Sequence, residues 1–186
     1  SDVYKRQDLV IEAFNRIGLP LLVVGDGPER LRLEELAGAN VTLLGRQSQA
    51  QVETLMARCR AFVYAGLEDF GIAPVEAMAA GAPVIGLGRG GLLDTVRCAA
   101  ADCLQPTGVL FPDQSVESVV QAVEWFQQQQ RLKLFSSDSI RLWAERFRPE
   151  AFAARFEASM RRSWGNHQAG CAVAASDPAE VPGLLS

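Results

Sequence analysis

AFVYAGLEDFGIAPVEAMAAGAPVIG, residues 61–86, carries the reading of the fold. Its two ends are alike. Ala61–Tyr64 and Ala82–Gly86 are short apolar runs bounded by glycine or proline, the pattern of strands buried within a sheet. Between them, Gly66–Gly71 reads as a loop. A helix begins near Ile72 or Ala73, with Pro74 in its first turn, and runs to Ala80. Gly81 ends it as the residue just past the last turn.

Working outward, the same rhythm recurs. Leu9, Val10, Ala13, Phe14 and Ile17 have helical spacing. Leu21–Val24 is an apolar run that fits a strand buried on both faces. GDGPERLRLEELAG follows as a turn and a helix, with Pro28 near the first helical position. VTLLG is the next strand. Ser48 and Gln51 stand at capping-box spacing and open a helix through Met56. After Gly86, GRGG is a loop, LLDTVRC a short helix and Gly108–Phe111 a last short strand or turn. Strands and helices alternating at this pace give βαβ units and a Rossmann-like α/β fold, a parallel sheet with helices on both faces. Right-handed crossovers are expected.

Only helices follow Phe111. Val116, Val119, Val120, Val123 and Phe126 make one apolar stripe; Phe152, Phe156 and Met160 make another. QQQQ at 127–130 is a polar helix end or linker. From Gly165 the chain turns to Ala, Gly, Pro and Ser without periodicity, which reads as a disordered tail over 165–186 behind a domain spanning 1–164.

The 186 residues suffice for one ordinary domain with a real core, and 48% hydrophobic and 22% charged residues are those of a globular protein. A net charge of −4 excludes a nucleic-acid polycation, so any anion site must come from local geometry. Cys59, Cys98, Cys103 and Cys171 show no CxxC pairing, and His167 is the only histidine. No zinc set is expected, and the cysteines read as reduced thiols, buried or incidental, of a cytoplasmic protein. No apolar run reaches the roughly 20 residues needed to span a bilayer.

In an open α/β sheet, ligands bind outside the carboxyl ends of the strands, and the 66–71 loop lies there. A helix start exposes unpaired N–H groups and a positive dipole end, and Gly71 lets an anion approach the backbone. Glu68 and Glu76 flank this point. A carboxylate suits vicinal hydroxyls such as those of a ribose or hexose, so two of them astride a phosphate site describe a nucleotide sugar. On spacing alone a plainer account stands beside it: Glu76 favoured by the dipole, Glu68 a solvated loop residue.

The stretch EDFGIAPVEAMAAGAPVI resembles the E-x7-E signature of family 4 retaining glycosyltransferases of GT-B fold, at Glu68, Phe70, Gly71, Glu76, Ala77, Ala79, Gly81, Pro83 and Val84. VGDGPE at 24–29, LLGRQS at 43–48 and GRGG at 88–91 resemble family segments in the same order, over about residues 3–165. EDFGI followed by GRGG is most similar to bacterial polysaccharide mannosyltransferases. The resemblance implies the donor-binding C-terminal half of such an enzyme. By that resemblance the enzyme would transfer a hexose, with GDP-mannose the subgroup's donor, and would use no metal or other cofactor. Glu76 would bind the ribose hydroxyls. Glu68 would face the hexose. Phe70, Gly71 and Ile72 would offer amides to the distal phosphate. Lys5 would contact the diphosphate, and Gly45, Arg46 and Gln47 would lie near the base, while Gly25 and Gly27 shape a turn.

The chain departs from the family at Asp69, where many members have glycine or threonine. The family's acceptor-binding half is not in this chain, and the strand before Lys5, whose end usually supplies a second phosphate-binding arginine, reads as missing or cut short. Arg6 is read as a surface residue and no replacement for it. The expectation is a fragment or incomplete gene product that binds donor and transfers no sugar alone. Its glycan or lipid-linked acceptor would be chosen by the missing half. The basic helix over 150–164 is read as packing on the sheet or the missing domain, with peripheral contact at the inner membrane face as the alternative. A same-fold epimerase and a non-catalytic nucleotide-sugar-binding module are the competing classes. A same-fold phosphorylase is disfavoured, since no lysine lies between Lys5 and Lys133. A Rossmann oxidoreductase is weaker, because no G-x-G-x-x-G follows a strand into a helix.

Overall fold

Strand and helix alternate along the chain as the spacing predicts. The computed structural model describes residues 5–99, 103–148 and 150–151. In order they form α1 (Gln7–Ile17), β1 (Leu21–Val24), α2 (Arg30–Leu36), β2 (Val41–Gly45), α3 (Gln49–Arg58), β3 (Phe62–Tyr64), α4 (Ile72–Ala79), β4 (Val84–Leu87), α5 (Leu92–Thr95), β5 (Gly108–Phe111), α6 (Val116–Arg131) and α7 (Ser137–Ala144). These elements belong to one compact unit that ends at Glu145. The second apolar stripe, the tail over 165–186 and the expected boundary at 164 lie outside the described residues, as does nearly all of the basic helix at 150–164.

All strand pairs are parallel, in two sheets rather than the single one expected. β1 pairs with β2, and β3–β4–β5 form a three-stranded sheet in that order. The reason lies at two edges: among the described residues β1 bonds only to β2, and β3 only to β4. Alternation divides each strand between two cores. Val63, Ala65, Ile85, Leu87, Val109 and Phe111 pack toward α1 and α6, where Ile11, Phe14, Val119 and Phe126 are buried. Phe62, Tyr64, Val84 and Leu110 pack on the other face with Met78 of α4, Leu92 of α5 and Ile140 of α7. Helices therefore cover both faces of the larger sheet.

Leu21–Val24 is not buried on both faces. Leu21 and Val23 pack on the core, while Leu22 is 54% exposed. α2 begins at Arg30, two residues beyond Pro28, so the proline belongs to the preceding turn. The capping box is present as spaced: the Ser48 side chain accepts from the Gln51 N–H, and the Gln51 side chain accepts from the Ser48 N–H at 2.9 Å. Residues 127–130 are the last turn of α6 and not a linker. Cys59 is exposed, and it, Cys98 and Cys103 are free.

Candidate functional site

β3 delivers the chain to the carboxyl edge of its sheet at Tyr64, and α4 starts eight residues later. The connecting loop is held from two sides. The Gln114 side-chain amide donates to the Ala65 carbonyl at 2.8 Å. The Gly91 N–H donates to the Glu68 carbonyl at 2.9 Å. Gly90 and Gly91 lie directly against this loop: a Cβ on Gly90 would stand 2.5 Å from the Glu68 carbonyl oxygen, and one on Gly91 would stand 2.5 Å from the Phe70 Cα and collide with the Asp69 carbonyl oxygen. The GRGG segment is thus glycine-rich because the 66–71 backbone rests on it.

Gly71 is the N-cap of α4, with φ 77° and ψ 66°. The left-handed backbone favours glycine. A Cβ there would also meet Leu92 Cδ1 at 3.0 Å. No side chain caps the helix. The Val75 N–H reaches the Gly71 carbonyl at 3.3 Å, but the amides of Gly71, Ile72 and Ala73 donate to no group among the described residues. Three consecutive donors therefore stand open at the positive end of a helix. At its far end α4 is closed as the sequence predicts. Gly81, at φ 92°, donates to Met78 and Ala82 donates to Ala77, the paired bonds of a Schellman motif. The Arg141 guanidinium adds a bond to the Ala80 carbonyl at 3.1 Å.

Both glutamates flank these amides. Glu68 is half-buried in the loop, three residues before Gly71. Glu76 is exposed, one turn into α4 on the same side as exposed Ile72, opposite buried Pro74, Ala77 and Met78. Neither forms an ion pair among the described residues. The Phe70 side chain is 45% exposed and Ile72 65% exposed, so both rim the helix start. Tyr64 is the group the sequence reading passed over: a phenol in a buried strand, whose pKa is raised first by burial and then by the nearby Glu68 carboxylate.

Lys5 and Gly45 come together elsewhere, in a cleft at the carboxyl ends of β1 and β2 that Gly25, Gly27 and Arg30 also line. Gly45, at φ 66°, lies under Arg30: a Cβ there would stand 2.7 Å from Arg30 Nη1. Arg30 itself is tied to Glu34 at 2.7 Å and Asp26 at 3.7 Å, which hold its guanidinium charged, Glu34 most strongly. Sequence reasoning missed Arg30, and only its place one turn before Glu34 hinted at the pairing. Arg46 is exposed and does not line the cleft, and the Gln47 side-chain amide is committed to the Leu44 carbonyl at 2.7 Å. The helix start at Gly71 does not line this cleft either. Arg6 is the N-cap of α1 and bonds Asp8 at 3.2 Å, a local structural contact. Among the described residues, no group of three or more His, Cys, Asp or Glu side chains is placed to hold a metal ion. No helix there is long and apolar enough to cross a membrane.

Residues 2–139 match the family described as glycosyl transferases group 1. Over 97 residues the chain is 34% identical to an uncharacterized glycosyltransferase of Methanocaldococcus jannaschii, covering 50% of this chain and 28% of that protein. Among solved structures it is similar to a sucrose-phosphate synthase from Thermosynechococcus elongatus, with a TM-score of 0.72 at 26% identity over 89% of this chain and 44% of the other. It also resembles Anabaena HepE, solved in complex with UDP and glucose, with a TM-score of 0.66 at 20% identity over 87% and 45% of the two chains. A pneumococcal O-GlcNAc transferase, GtfA, solved in complex with UDP and GlcNAc, gives 0.67 at 20% identity over 86% and 33%. The chain thus spans less than half the length of each of these proteins.

Proposed function

This chain belongs to the glycosyl transferases of group 1, and from that premise we propose that it is the donor-binding half of a family 4 retaining glycosyltransferase. It binds a nucleoside diphosphate hexose outside the carboxyl ends of its strands. The observation that carries this reading is the start of α4: open amides at Gly71, Ile72 and Ala73 between two carboxylates that have no cationic partner among the described residues. Open amides at a helix start suit a phosphate, since a hydrogen bond to a charged oxygen is worth roughly 1.5–3 kcal/mol. Free carboxylates on either side suit hydroxylated rings.

In this reading Glu76 takes the ribose and Glu68 the hexose. The amides at 70–72 take the distal phosphate. Lys5 reaches the diphosphate from its cleft, and the backbone at Gly45, Arg46 and Gln47 borders the base. At an effective dielectric of 20, a lysine about 4 Å from a phosphate oxygen gains of order 4 kcal/mol before desolvation. The helix amides and Lys5 then stabilise negative charge as it grows on the departing diphosphate, the work of a preorganised electrostatic site. The acceptor hydroxyl attacks from the leaving-group face, so the anomeric configuration is retained. The glutamates bind; they are not the acid–base pair of a glycoside hydrolase. No metal or other cofactor takes part.

The donor is GDP-mannose and the acceptor a glycan or lipid-linked sugar of a surface polysaccharide. The acceptor is held by a domain outside this chain, in the cytoplasm or at the inner membrane face. The support for mannose is the EDFGI and GRGG segments. The UDP complexes of HepE and GtfA make UDP-sugars the necessary comparison. A thermal-shift panel of UDP, GDP and their glucose and mannose derivatives tests the reading, since ligands that bind the folded state raise its melting temperature. Stabilisation by GDP-mannose above all others is expected. Glu76→Ala then weakens donor binding by roughly 2–4 kcal/mol through loss of two charge-assisted bonds. Unchanged calorimetric affinity removes Glu76 from the ribose site.

A further inference from the structure

β3 sends Phe62 and Tyr64 to the same face, with ring centroids 6.4 Å apart and planes 12° from parallel. Phe62 fills its place without a polar atom. Tyr64, only 8% exposed, adds a hydroxyl among Met78, Val84 and Leu92. That hydroxyl is sealed from solvent and has no hydrogen-bond partner among the described residues. A buried hydroxyl left unpaired is destabilising, and a phenylalanine at 64 would avoid it. A native position that keeps such a group calls for a partner.

Glu68 is the carboxylate nearest to it along the chain. It lies four residues on, in the loop that β3 leads into. Burial first, and the Glu68 carboxylate after it, keep the phenol protonated and so keep it a donor. The Glu68 main chain is fixed by the Gly91 N–H and by the close approach of Gly90. Its side chain has no ion pair among the described residues. One oxygen of a carboxylate can accept from a phenol while the other accepts from a ligand hydroxyl.

We propose that Tyr64 is a positioning residue: its hydroxyl donates to the Glu68 carboxylate and turns it toward the hexose of the bound donor. This rests on the assignment of Glu68 to the hexose made above. Tyr64 touches no substrate. Its effect is confined to the part of the affinity that the sugar supplies. A contact that only supports the sheet would instead lower the affinity for nucleotide and sugar nucleotide together.

Calorimetry on the full 186-residue chain separates these possibilities, with UDP, UDP-glucose, GDP and GDP-mannose as probes. For the wild type, one sugar nucleotide binds tighter than its nucleoside diphosphate, and Glu68→Ala erases that difference. Tyr64→Phe, which removes only the hydroxyl, is expected to cut the difference by about tenfold, the scale of one hydrogen bond to a charged group. It leaves the nucleoside diphosphate affinity within about twofold, and adding it to Glu68→Ala costs nothing further. Should the wild type bind none of the four probes, or gain nothing from the sugar, the Glu68 assignment falls and the proposal with it. Should Glu68→Ala erase the difference while Tyr64→Phe keeps it, the proposal alone is overturned. An equal loss for both ligand types in Tyr64→Phe also overturns it, because it assigns the hydroxyl to the fold.

Discussion

Replacing Gly91 by alanine probes the floor beneath the helix-start site without touching the site itself. Gly91 has φ −62° and ψ −17°, which any residue adopts, so the substitution carries no conformational penalty of its own. Its whole effect is steric. The new Cβ would stand 2.5 Å from the Phe70 Cα, against about 3.5 Å for two carbons at rest. The backbone at residue 70 must therefore move by about 1 Å. That displacement falls one residue before the open amides of Gly71, Ile72 and Ala73. It spoils the aim of at least one, and one bond to a charged oxygen is worth roughly 1.5–3 kcal/mol. Nucleoside diphosphate affinity is expected to drop by about ten- to a hundredfold. Overpacking also costs stability, about 1–3 kcal/mol. Gly88→Ala is the control: it lies in the same loop, and its Cβ would meet the Phe111 carbonyl oxygen at 3.4 Å, an ordinary contact. Calorimetry with UDP and GDP, alongside thermal melts followed by circular dichroism, reads both quantities. Wild-type affinity in a folded Gly91→Ala chain would refute the claim that this floor holds the amides in place.

Other perturbations test the fold and the chemistry. Tyr64→Phe reports on alkaline stability. The folded phenol titrates above its ordinary value because of burial and then Glu68, so the stability it contributes is whole below pH about 10 and is lost as pH rises beyond that. Melting temperatures measured from pH 9 to 11 should fall less steeply in the variant, and parallel slopes would contradict the assignment. Ser48→Ala removes half of the capping box on α3 and should cost about 0.5–2 kcal/mol in urea melts, with ligand affinity unchanged. Met78→Ala opens a void where α4 meets α7. With no exposed surface at this side chain, a loss of about 2–5 kcal/mol is expected by denaturant titration. The chain alone should bind a sugar nucleotide yet release no nucleoside diphosphate in the presence of acceptor, as followed by chromatography. Turnover by these 186 residues would make a second domain unnecessary.

The local signals along this chain were readable without a structure. Ser48 and Gln51 announce a capping box because both bonds are made within four residues, and Gly81 announces a helix end because only a left-handed residue closes α4 there. Every strand from Leu21 to Phe111 was marked by a short apolar run, and the helix start at Gly71 by its glycine and Pro74. Contacts between distant segments decided the rest. That GRGG supports the 66–71 loop, that Arg30 covers Gly45, and that β1 and β3 each leave an edge without a strand among the described residues all depend on pairs far apart in sequence. Exposure of Leu22 was equally hidden, since an apolar run says that a strand is wanted in a core but not which of its faces finds one. The orphaned Tyr64 hydroxyl is the sharpest case. Letter by letter it is an aromatic in a strand, and only its burial in one cluster with Met78, Val84 and Leu92 leaves the oxygen without a partner among the described residues.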